Sequence, residues 1–156
     1  RQGRQPWRWR SRDLAARLAW TPQVAEAGMV ASSVRDEVLA SGRATGRDLK
    51  WLEPRVDGLI ESFGLSALAD VSPHHLSGGE QRRLMVAAAL AHGPAAALFD
   101  EPTVGQDRLT WSVVVSALDG AAAAGSGVCL ATHDSDAVEL LGGDRLTLAS
   151  RGAERP

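Results

Sequence analysis

The chain has 156 residues, enough for one domain with a core of its own. Hydrophobic residues make up 44% and charged ones 23%, and a formal net charge of −2 excludes a generally basic nucleic-acid binder. No apolar run is long enough to span a bilayer, no signal peptide is visible, and the single cysteine, Cys129, rules out an internal disulfide.

Residues 1–12 interleave arginines with Trp7 and Trp9. Arginine beside aromatics can grip nucleic acid. The stretch is short, however, and no basic face follows it, so it reads as a solvated edge. Residues 11–17 predict a short helix, and Leu18-Ala19-Trp20-Thr21 a strand closed by Pro22-Gln23. Residues 24–31 read as an irregular loop. Ser33 then caps a helical turn over 34–40, and residues 41–48 read as a polar, glycine-containing connector. A helix is predicted from Glu53-Pro54, with proline in its first turn, to Gly64. Its Leu52, Val56, Leu59, Ile60 and Phe63 fall at helical spacing. His74 and His75 are adjacent in a loop and point apart, which argues against a shared metal.

Leu76-Ser77-Gly78-Gly79-Glu80-Gln81-Arg82-Arg83 carries more information than any other stretch. Ser77 and Glu80 have capping-box spacing, and two glycines leave bare amides at the start of a helix running to about His92. Such an end attracts anions. Ala95 to Phe99 then reads as a buried parallel strand ending in Asp100-Glu101. Asp107 caps a helix through Trp111, Val114, Val115 and Leu118. Residues 128–131 predict a second buried strand, ending at Thr132-His133-Asp134. A helix over 135–141, a last strand at 145–148 and a loose tail follow.

The stretch 76–81, the apolar strand and Asp100-Glu101-Pro102-Thr103 together resemble the signature and Walker B motifs of ABC (ATP-binding cassette) ATPases. Gln23 resembles the Q-loop glutamine, Val104 to Asp107 the D-loop, and His133 the switch histidine. Gln106 stands where the family usually has leucine. The wording Ser33-Val34-Arg35-Asp36-Glu37-Val38 resembles cobalt-type importers of the energy-coupling-factor group.

The resemblance implies an α/β fold with a P-loop NTPase-like parallel sheet and a small helical signature subdomain. Residues 1–156 would form part of an ABC domain, with 24–92 mostly helical and 93–150 the α/β part. It implies ATP and Mg2+ as ligands, with Asp100 and Gln23 toward the metal. Glu101, His133 and Gln23 would be catalytic, and Ser77, Gly78, Gly79, Glu80 and Asp107 would contact nucleotide. The partners implied are a second ABC ATP-binding subunit and a transmembrane transporter subunit, with no nucleic acid. The implied location is the cytoplasmic face of the membrane, as a peripheral subunit. No G-x-x-x-x-G-K-[ST] occurs, and the only lysine is Lys50. The expectation is therefore a truncated or split domain, inactive alone. A fragment acting only in trans, or a regulatory module, is the alternative. A DNA-repair ABC ATPase is disfavoured, because one cysteine and no heptad run leave no zinc insertion or coiled coil.

Overall fold

A computed structural model describes residues 5–147. Three parallel strands form the sheet in the order β1 (Leu18–Thr21), β2 (Ala96–Asp100), β3 (Gly127–Ala131). Phe99 pairs with Thr21 on one side and Leu130 on the other. Helix α1 (Ser11–Ala15) precedes β1, while α2 (Val34–Thr45), α3 (Leu49–Ser62) and α4 (Gly78–Ala91) lie between β1 and β2. Helix α5 (Arg108–Ala123) connects β2 to β3, and α6 (Ser135–Leu141) follows.

The core forms where α2, α3 and α4 pack on one another and α4 lies against β1 and β2. Val34, Leu52, Val56, Leu84 and Ala87 are fully buried there. Ala19, Ala97 and Phe99 bring the covered face of the sheet into the same cluster. Among the described residues, none buries the other face. Trp20, Leu98 and Cys129 are cross-strand neighbours on it, and all three are exposed. The expectation of buried strands is thus met on one face of β2 only, and no residue of β3 is buried. Parallel sheets ordinarily have both faces packed.

Three element boundaries differ from the sequence reading. Helix α2 runs on through Ser41–Thr45 and stops at Gly46, whose φ of 78° suits a glycine C-cap. Gly42 is helical because Leu52 packs onto it; an added Cβ would lie 2.3 Å from a Leu52 methyl. Helix α3 begins at Leu49, capped by Asp48, so Pro54 sits inside the helix rather than in its first turn. Residues 145–147 form no strand, and Leu148 lies outside the described residues, as does the tail.

The C-terminal carbonyls of α4 are taken by two arginines. Arg55 donates to Leu90 and Ala91, and Arg47 to His92 and Gly93. The Trp51 ring lies 5.3 Å from the Arg47 guanidinium and 5.5 Å from that of Arg55. Cationic donors at a helix C-terminus satisfy orphan carbonyls and oppose the dipole's negative end. His92 is buried beside them, and burial followed by the Arg47 charge pushes its imidazole below the usual value.

Candidate functional site

The N-terminus of α4 has the expected capping box. The Ser77 hydroxyl accepts from the Glu80 amide, and Glu80 accepts from the Ser77 amide at 2.8 Å and its hydroxyl at 2.7 Å. Those two bonds, hydroxyl first, hold the Glu80 carboxyl below its usual range. An added Cβ on Gly78 would meet nothing within 4 Å, so this helix end is open to approach. Gly79 is sheltered by Gln106, whose amide donates to the Gly79 carbonyl at 3.3 Å. The residue that departs from the expected leucine therefore makes a polar tie to the helix end.

Glu101 leaves β2 with φ +49°, a left-handed conformation that costs a non-glycine residue about 1–2 kcal/mol. The backbone is held there from two sides. Its amide donates to Ala131 at the end of β3, and its carbonyl accepts from Arg82 of α4 at 2.5 Å. The turn aims the carboxylate across the carboxyl end of the sheet at His133. One oxygen lies 2.6 Å from the His133 Nδ1 and also accepts the His133 amide, and the other accepts the Thr132 hydroxyl. Strands β2 and β3 are adjacent and parallel, so the residues that follow them arrive at the same edge.

Burial alone would raise the Glu101 carboxyl. The bonds from the His133 ring and the Thr132 hydroxyl outweigh it and hold the group below the carboxylate range. The same contact raises His133, through the hydrogen bond first and the charge of Glu101 second. The pair is therefore fully charged between the lowered Glu101 value and the raised His133 value. Its contribution to stability fades as pH rises through the His133 value, and also as pH falls through the Glu101 value. In Glu101→Gln, an NMR titration of His133 should return toward an ordinary imidazole midpoint. An unchanged midpoint would show that the contact is not formed in solution.

Asp107 caps α5, accepting from the Thr110 amide at 2.9 Å and its hydroxyl at 3.1 Å. Its carboxylate is thus engaged within its own turn. Asp134, unremarked in the sequence beyond its place after His133, joins three elements. It accepts from the Thr103 hydroxyl and the Trp111 indole, each at 2.6 Å, and caps α6. Arg82 is a second residue the sequence reading missed, and it also donates to the Gln23 carbonyl at 3.4 Å. Buried Glu37 is a third, accepting from the amides of Val30 and Ala31 at 2.8 and 2.7 Å and so fastening the end of the 24–31 loop. None of the three stands out by residue type or spacing, because Asp134 and Arg82 act on groups distant in sequence and Glu37 on two backbone amides outside its own helix.

Asp100 ends β2 and is half-buried on the uncovered side of the sheet. No group of three or more His, Cys, Asp or Glu gathers among the described residues. A single carboxylate such as Asp100 is a ligand of the kind Mg2+ takes, since that ion keeps several waters and binds phosphate oxygens. The open helix end at Gly78 suits an anion.

Residues 2–104 match the ABC transporter family. The chain belongs to the ABC transporter family. It is 32% identical over 145 residues to the "Putative HMP/thiamine import ATP-binding protein YkoD" of Bacillus subtilis, covering 93% of this chain and 26% of that protein. It is 32% identical over 110 residues to the energy-coupling factor transporter ATP-binding protein EcfA of Methanocaldococcus jannaschii, covering 70% of this chain and 39% of that protein. Among solved structures, cbiO1 from Clostridium perfringens, part of the ABC transporter complex cbiONQ, superposes with a TM-score of 0.66 at 26% identity. That likeness covers 83% of this chain and 52% of cbiO1. The chain thus spans well under half the length of these two relatives. The ABC membership and the importer-type relatives agree with the resemblance carried by residues 33–38, 76–83 and 100–103.

Proposed function

We propose that this chain is part of the ATP-binding subunit of an ABC importer, coupling ATP hydrolysis to uptake of a small solute such as a metal ion or vitamin. The observation that carries the reading is the contact between Glu101 and His133, held at the carboxyl end of the sheet beside a helix whose N-terminus is open. Glu101 orients or deprotonates the attacking water, since the oxygen bonded to the Thr132 hydroxyl keeps a second lone-pair direction beyond that donor. Its contact with Nδ1 leaves the His133 Nε2–H to donate to the γ-phosphate. Asp100 and Gln23 hold Mg2+, which supplies neutralisation of phosphate charge.

Ser77, Gly78 and Gly79 contact the γ-phosphate of a nucleotide held mainly by a second ABC ATP-binding subunit. Glu80 supports that end through the capping box, and Asp107 stands at the subunit junction. The loop 24–31 docks a transmembrane subunit, which places the chain at the cytoplasmic face of the membrane; no helix among the described residues is long and apolar enough to cross it. The names of the relatives, two of them tied to import or energy coupling, support an importer.

A second reading is that this stretch acts only in trans, or regulates, because its 156 residues contain no lysine-bearing phosphate loop. The assay is ATP turnover by the chain alone, by an intact cassette whose own signature is silenced, and by their mixture. Turnover is expected in the mixture only. Robust turnover by the chain alone would refute the trans reading, and a silent mixture would remove the functional proposal.

A further inference from the structure

We infer that Arg82 is a positioning residue that straps the Gln23 loop to the backbone of Glu101, so that movement of the loop is passed to the carboxylate. One guanidinium nitrogen lies 2.5 Å from the Glu101 carbonyl and the other 3.4 Å from the Gln23 carbonyl. These carbonyls lie just beyond the carboxyl ends of β1 and β2, which are paired neighbours. A planar fork can hold two acceptors at once, whereas an ammonium is a single point of attachment. The Glu101 end matters because that residue is in a left-handed conformation, and release of its carbonyl removes one of the restraints on it.

The helix carrying the fork is itself pressed against the loop. A Cβ added at Gly28 would lie 2.4 Å from the Met85 methyl, one turn along α4 from Arg82. The next residue, Arg83, has a different job, reaching the Thr110 hydroxyl of α5. Among the described residues of α4, Arg82 therefore bonds to both site loops. This inference rests on the proposal that the loop docks a partner and that Glu101 acts on water.

The test uses the full chain without nucleotide. Parent, Arg82→Ala and Arg82→Lys are compared, each with and without Pro22→Gly, which loosens the loop. Readouts are the NMR position of His133, amide exchange by segment, and the urea midpoint. In the parent, Pro22→Gly should move the His133 signal. In Arg82→Ala the signal should already be displaced, with faster exchange in 22–29 and 100–104, and Pro22→Gly should add nothing. Arg82→Lys, able to keep one contact, should restore the signal but not its response to Pro22→Gly. If Pro22→Gly moves His133 equally with and without Arg82, or if Arg82→Ala speeds exchange evenly across α4, the strap is disproved. No arm depends on ATP turnover, so failure of the ATPase proposal and failure of this one are separately visible.

Discussion

Ser77→Arg should abolish the turnover this chain lends to a signature-silenced cassette. Loss of a preorganised donor to developing charge costs about 100- to 1,000-fold in rate, equivalent to about 3–4 kcal/mol. Arginine also removes the hydroxyl that accepts the Glu80 amide, but loss of an N-cap costs only about 1 kcal/mol of stability. Ser77→Asp separates the two effects. Aspartate caps a helix about as well as serine. Its charge, however, would face the γ-phosphate at an end where Gly78 leaves the approach open. The expected result is turnover lost with only a modest fall in the urea midpoint, because aspartate keeps the cap but loses the hydroxyl that donates to Glu80 and faces that carboxylate instead. Parent-like turnover in both variants would exclude a role for Ser77 in the composite site.

Phe99→Ala should leave little folded protein. Phe99 is 2% exposed and sits mid-sheet between Thr21 and Leu130. Truncation of a buried phenylalanine costs about 3–5 kcal/mol, against a total stability of about 5–15 kcal/mol for an ordinary domain. Among the described residues the sheet packs one face, the one Phe99 fills, so the loss falls on the main core. The adjacent Leu98→Ala provides the contrast. Leu98 is 42% exposed on the open face, and its loss should stay within about 0.5 kcal/mol. Urea midpoints for the two variants decide the matter. A large loss for Leu98→Ala would mean that something covers that face in solution.

The parts of the fold that were legible in the sequence are those fixed by local chemistry. Ser77 and Glu80 announce their helix start by spacing, and Asp107 announces another by residue type. The alternation at β2 was legible only as an apolar run, since residue types alone cannot say that Leu98 faces solvent while Phe99 does not. Gly42 misled because its meaning is tertiary: it looks like a breaker, yet it makes room for Leu52 across the α2–α3 contact. Pro54 misled in the opposite sense, as a start signal that lies inside a helix already begun at Leu49. In the candidate site, Glu101 and His133 were readable through the family resemblance, each from its place after a strand. Arg82 was not, because a guanidinium bonded to two backbone carbonyls, one 19 and one 59 residues away, leaves no local pattern.

The arginine pair on the C-terminus of α4 has a consequence for ionic screening. The helix has 14 residues, so the guanidiniums lie roughly 21 Å along its axis from Ser77. At physiological salt the screening length is about 8 Å. Arg47 and Arg55 are therefore electrically silent at the helix's other end, and their cationic charge adds nothing to the pull on an arriving phosphate. They act as fasteners for the carbonyls beside them. Any salt sensitivity of anion capture at Ser77 must arise from the first turn and the groups around it.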